Sequence, residues 1–105
     1  MTPFAGFSPG KPRVFTLPAA FITELMPLID DAAELKVILF TFWAIQQREG
    51  QYRYLRTEEY AVDAALIDGM RAADPSTPPE VTLTRALAKA VERGALVSAD
   101  VTLDG

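Results

Sequence analysis

Residues 32–48 read AAELKVILFTFWAIQQR, and the placing of apolar side chains along this stretch decides what the chain can be. Leu35, Ile38, Leu39, Phe42 and Ile45 fall on one helical face, while Val37, Phe40, Trp43 and Ala44 cover much of the remainder. A helix that is apolar nearly all round has to be covered on several sides. In a chain of 105 residues the cover comes from neighbouring elements, together with either an N-terminal arm or a second protomer. The densest apolar run, 37–45, is nine residues long, and crossing a bilayer as a helix takes about 20. The stretch is therefore a buried helix. Asp31 is placed to cap its start, with Glu34 three residues later as the second half of a capping box, and Gly50 ends it.

Upstream, residues 1–17 form an irregular arm. Pro3, Pro9, Gly10 and Pro12 forbid a regular helix, and Phe4, Phe7, Val14 and Phe15 supply apolar anchors for docking on the domain or on a partner chain. A helix starts near Pro18, with Phe21, Ile22, Leu25, Leu28 and Ile29 at helical spacing, and Pro27 stops or kinks it near Met26. Downstream, 51–56 predicts a brief strand carrying Tyr52 and Tyr54. Thr57 opens a helix that breaks near Asp63 or Asp68, and 71–79 is a loop. Pro79 to Gly94 is a helix with Leu83, Leu87, Ala90 and Val91 inside, and 95–103 alternates as a strand towards the turn signal Asp104-Gly105.

This order predicts a mainly α fold with a small β-sheet: a winged helix-turn-helix over 18–105, its wing cut short at the C-terminus, as in a piece of a longer protein. The 71–79 connection is long for such a unit, whose turn typically has about 3–4 residues.

Composition narrows the function. The chain has no cysteine and no histidine, which removes disulfides, thiolate metal sites, cysteine nucleophiles and the commonest general base together. It also lacks a phosphate-binding glycine loop and a nucleophile elbow, so the expectation is a protein that is not an enzyme and has no cofactor or metal. Ten basic against fourteen acidic residues give a net charge of −4, which counts against a strong stand-alone grip on nucleic acid. The N-terminus lacks the basic flank and apolar core of a signal peptide, and a cytoplasmic setting away from the membrane fits the missing cysteines.

Leu17-Pro18, Phe21, Glu24-Leu25, Ile29-Asp30-Asp31, Glu34-Leu35-Lys36-Val37 and the helix end from Ala86-Leu87 to Arg93-Gly94 carry a family likeness. In order and spacing, over roughly 4–103, they resemble the N-terminal domain of DnaD-like proteins. That resemblance implies a winged-helix module of bacterial replication initiation and restart, associated with self-assembly and with primosome partners. In that family much of the DNA binding lies in a separate C-terminal domain.

Two sets of residues are candidates for a site. Arg85, Lys89 and Arg93 recur every four residues and line one stripe of the last helix, with Thr82 and Thr84 near its start. They are either a DNA-contacting face or a solvated one, with Glu92 near enough to pair. Phe4, Phe7 and Phe15 of the arm, with Phe40 and Trp43, are either core or a self-association surface. Asp30, Asp31 and Glu34 are explained by helix capping, and Tyr52 and Tyr54 beside Arg53 and Arg56 are either a stacking pair for single-stranded nucleic acid or, more ordinarily, one buried and one exposed tyrosine of a strand. The expected function is self-association within a replication-initiation assembly near DNA. The alternative is a winged-helix transcriptional regulator that binds DNA directly.

Overall fold

The computed structural model describes residues 4–7, 10, 13–47 and 55–96. A π-helical turn, Phe21–Leu25, runs into a 3₁₀ turn, Met26–Leu28, and four α-helices follow: α1 (Ala32–Gln46), α2 (Thr57–Ala61), α3 (Ala64–Ala73) and α4 (Pro79–Arg93). The disturbance expected at Pro27 is this change of helical pitch. Proline has no N–H to give and crowds the turn before it. The chain widens first, with the Met26 N–H reaching the Phe21 carbonyl, then tightens through Pro27 and leaves the helix at Ile29 in an extended conformation.

The winged-helix expectation is corrected here, because the described residues contain helices and turns and no strand or sheet. Leu55 and Arg56, the described end of the expected 51–56 strand, form no strand and lead directly into α2. At the other end, α4 closes with Gly94 in the left-handed region (φ 87°). The Gly94 N–H returns to the Val91 carbonyl (3.0 Å), and the Ala95 and Leu96 N–H groups return to that of Ala90 (3.0 and 3.2 Å). Such a C-terminal cap uses the amides that a strand ladder would need, so no strand begins at Ala95. Residues 51–54, 97–103 and the Asp104-Gly105 turn lie outside the described residues.

One expected break is placed at Asp63, and one expected loop is shortened. The helix opened at Thr57 splits at Val62, because the Asp63 side chain accepts from the Leu66 N–H (2.9 Å) and caps a new helix. The loop expected over 71–79 shrinks, since α3 runs to Ala73 and Asp74 gathers the turn by accepting from Ser76 Oγ (2.8 Å) and Thr77 Oγ1 (2.7 Å). At the start of α2, Thr57 is the first helical residue, and Glu59 reaches back to accept from the Arg56 N–H (2.7 Å).

The all-round apolarity of α1 is resolved by two clusters on opposite flanks. On one, Ala33 and Val37 meet Tyr60 of α2, Leu66 and Met70 of α3, and Leu83 and Ala86 of α4. On the other, Ile38 meets Phe21 and Ala90, bordered by Leu17, Leu25, Ile29, Leu39 and Phe42. Phe21 and Phe42 stack edge-on with ring centroids 5.9 Å apart. Thr41, a polar residue buried in α1, donates to the Val37 carbonyl (2.8 Å), and the Tyr60 hydroxyl, 2.7 Å away, is left to donate to Thr41 Oγ1. Burial raises the Tyr60 pKa, so the phenol stays protonated in this role. Lys36 fastens α1 to α3 by donating to the Gly69 carbonyl (3.0 Å).

Candidate functional site

The basic stripe of α4 does not stand alone. Asp31 caps α1 by accepting from the Ala33 N–H (2.9 Å) and, more distantly, from Glu34 N–H (3.4 Å). Its other carboxylate oxygen takes Arg85 and Lys89, the latter at 3.2 Å. Lys89 and Arg93 also approach Asp30, each at 3.7 Å. Arg93 grips Glu34 with two prongs, Nε to Oε2 (2.6 Å) and Nη2 to Oε1 (3.0 Å), and donates through Nη1 to the Leu28 carbonyl (2.7 Å). Glu34 is completely buried. The planar guanidinium fork suits this bidentate arrangement. The hydrogen bonds that Arg93 donates to Glu34 hold its pKa above the ordinary value.

The acids at the start of α1 and the bases along α4 therefore form a ladder between the two helices. Glu34, expected to reach back as the second half of a capping box, turns instead to Arg93. The two threonines at the start of α4 differ in their surroundings. Thr82 is fully buried and its hydroxyl has no partner among the described residues, while the exposed Thr84 donates to the Glu80 carbonyl one turn back (2.9 Å). The signal for the ladder is present in the sequence: acids at positions 30, 31 and 34 match bases at 85, 89 and 93 once the two helices cross.

Asp31 carries a pH prediction. Burial pushes its pKa up, but hydrogen bonds from Arg85, Lys89 and the backbone of Glu34 and Ala33 outweigh that, so the pKa falls from 3.8 to about 2. A carboxylate with a depressed native pKa stabilises the fold in full above its unfolded value, and this contribution disappears as pH drops through the native one. Screening of the half-exposed Arg85 limits the contribution to about 1–2 kcal/mol. Between about pH 4 and pH 2, Asp31→Asn should lose less stability than wild type, because asparagine keeps the cap but not the charge. Thermal melts of both proteins across this range check it; parallel curves would refute the assignment.

The aromatic set is divided between core and surface. Phe40 stands between Tyr60 and Trp43, with ring centroids 5.6 and 5.8 Å away. This chain of rings runs from the core to an open groove of about 550 Å³ beside the C-terminal half of α1. Phe40, Trp43, Ala44, Leu55 and Val62 supply its apolar wall, and Gln47, Glu59 and Asp63 its polar rim. Trp43 is 43% exposed and Val62 81%. Leu55 and Val62 were not singled out by sequence; both sit at helix boundaries where no periodicity marks a face.

The arm reaches α1 close by. The Thr16 N–H donates to Gln46 Oε1 (2.7 Å), and Gln46 Nε2 donates to the Thr16 carbonyl (2.5 Å). Phe15, partly exposed, lies next to this clasp in sequence. Further out, Phe4 and Phe7 stack edge-on at 5.0 Å, yet are 74% and 87% exposed. Gly6 permits the reversal between them with φ 98°.

Among the described residues, no group of three or more acidic side chains is arranged to hold a metal ion, and no helix is long and apolar enough to cross a membrane. Compared with protein-family models, with curated proteins and with solved structures, the chain matches none.

Proposed function

We propose that this chain is a non-catalytic assembly module that self-associates, in the cytoplasmic replication-initiation setting that its DnaD-like resemblance implies. The observation that carries the reading is the exposed aromatic surface. Isolated apolar residues on a surface are ordinary, but Trp43, Val62, Phe4 and Phe7 belong to two concentrated patches, the groove and the arm. Such patches are what protein interfaces bury.

Direct DNA contact through α4 is the weaker reading. Arg85, Lys89 and Arg93 already face carboxylates of α1 and its approach. Contact with phosphate would have to compete with those carboxylates, in a chain of net charge −4.

Light scattering across a concentration series tests the proposal. Wild type is expected to be a dimer or larger in the micromolar range, and Trp43→Ala to be mostly monomeric with its helical content intact. A wild-type chain that stays monomeric at high micromolar concentration would overturn the reading. Titration with duplex DNA at two salt concentrations is expected to show at most weak, salt-sensitive binding; tight binding that survives high salt would favour the DNA reading instead.

A further inference from the structure

We infer that two copies of this chain associate by exchanging arms, the Phe4–Phe7 pair of each copy seating in the Trp43 groove of the other. This rests on the self-association reading and specifies its geometry. Each half of the contact is visible on a single chain, and among the described residues nothing covers either half. The two phenyl rings pack on one another and remain largely exposed, while the groove beside Phe40 and Trp43 is open.

Size agrees. A cavity of about 150 Å³ accepts one benzene ring, so a groove of about 550 Å³ has room for two. Area agrees as well. A buried aromatic side chain hides roughly 150–250 Å². Four phenylalanines across a reciprocal pair, with the groove walls they cover, reach roughly 1,200–2,000 Å², the span of stable protein interfaces.

Charge points the same way. Residues 1–16 contain Lys11 and Arg13 and no acid, whereas the charged side chains that line the groove are the acids Glu59 and Asp63. A cationic arm crossing an acidic rim steers association and favours this pairing over arm against arm. Exchange is reciprocal, so it closes at two copies and does not propagate into a filament.

The absence of native cysteine gives a clean test. Ala5→Cys lies between the two phenylalanines and leaves both in place, and Val62→Cys lies on the exposed groove wall. When a tagged Ala5→Cys chain is mixed with an untagged Val62→Cys chain and mildly oxidised, a disulfide joining the two is expected. Phe4→Ser/Phe7→Ser should abolish that bond and weaken dimerisation of the otherwise unaltered chain roughly thirtyfold.

A bond formed only within one chain, in a doubly substituted monomer, would mean the arm folds back on its own groove and would overturn the proposal. So would Ala5→Cys chains that link only to each other. Dimers seen by light scattering without any bond between positions 5 and 62 would refute arm exchange while sparing self-association. Monomers throughout would refute both.

Discussion

Glu34→Ala is expected to lower the unfolding free energy by about 3 kcal/mol and the melting temperature by more than about 10 °C. The carboxylate is completely buried and makes a two-pronged contact with Arg93. Truncating it leaves a guanidinium that has lost its main partner, and breaking one side of a buried pair typically costs about 3–5 kcal/mol. The lower end applies because Arg93 keeps the Leu28 carbonyl and a distant Asp30. Replacing both partners with apolar residues of similar size, Glu34→Leu with Arg93→Met, should recover most of the loss, since no charge is then stranded. Urea unfolding of the single and double variants measures this as a mutant cycle. A single variant within 1 kcal/mol of wild type would show that the ladder does not hold α1 to α4.

Ile38→Ala should be as damaging, at about 3 kcal/mol, with Ile38→Val costing about 1 kcal/mol. Ile38 is wholly buried and joins Phe21, ahead of α1, to Ala90 of α4. The cavity left by alanine lies on the flank of α1 opposite Val37 and Met70. Its effect is therefore regional: hydrogen exchange should speed up over 21–29 more than over α3. Stability within 1 kcal/mol of wild type, or exchange accelerated equally in both regions, would argue against two separable clusters.

The helices were legible because their signals are local. The apolar run of α1, the Asp31 cap, Pro79 at the start of α4 and Gly94 at its end each act within a turn or two of chain. The small sheet was inferred from alternation at 51–56 and 95–103, and alternation does not reveal what the neighbouring backbone is already doing. At Ala95 and Leu96 the amides were committed to capping α4. The break at Val62 was legible only as a region, because Asp63 and Asp68 are equally plausible caps until packing selects Asp63.

The site divides in the same way. That Arg85, Lys89 and Arg93 share a stripe follows from spacing, but whether the stripe meets water, DNA or protein depends on which helix crosses it. Asp30, Asp31 and Glu34 were explained by capping alone, and capping is indeed what Asp31 does. Its second oxygen, and all of Glu34, answered to residues more than fifty positions away. Phe40 and Trp43 were ambiguous between core and surface, and they occupy the boundary: Phe40 packs against the core cluster, while Trp43 lies at the open end of the same aromatic row.

The carboxylates that α4 neutralises also set an order of events during synthesis. While the ribosome has made only α1 and α2, Glu34 has no guanidinium to meet and the Ile38 flank has no Ala90 to lie against. Until position 93 is added, an interval of several seconds at roughly 5–20 residues per second, the apolar flanks of α1 lack their final cover and the Glu34 carboxylate lacks its partner. The packing of α1 is therefore completed last, by α4, which closes both of its flanks.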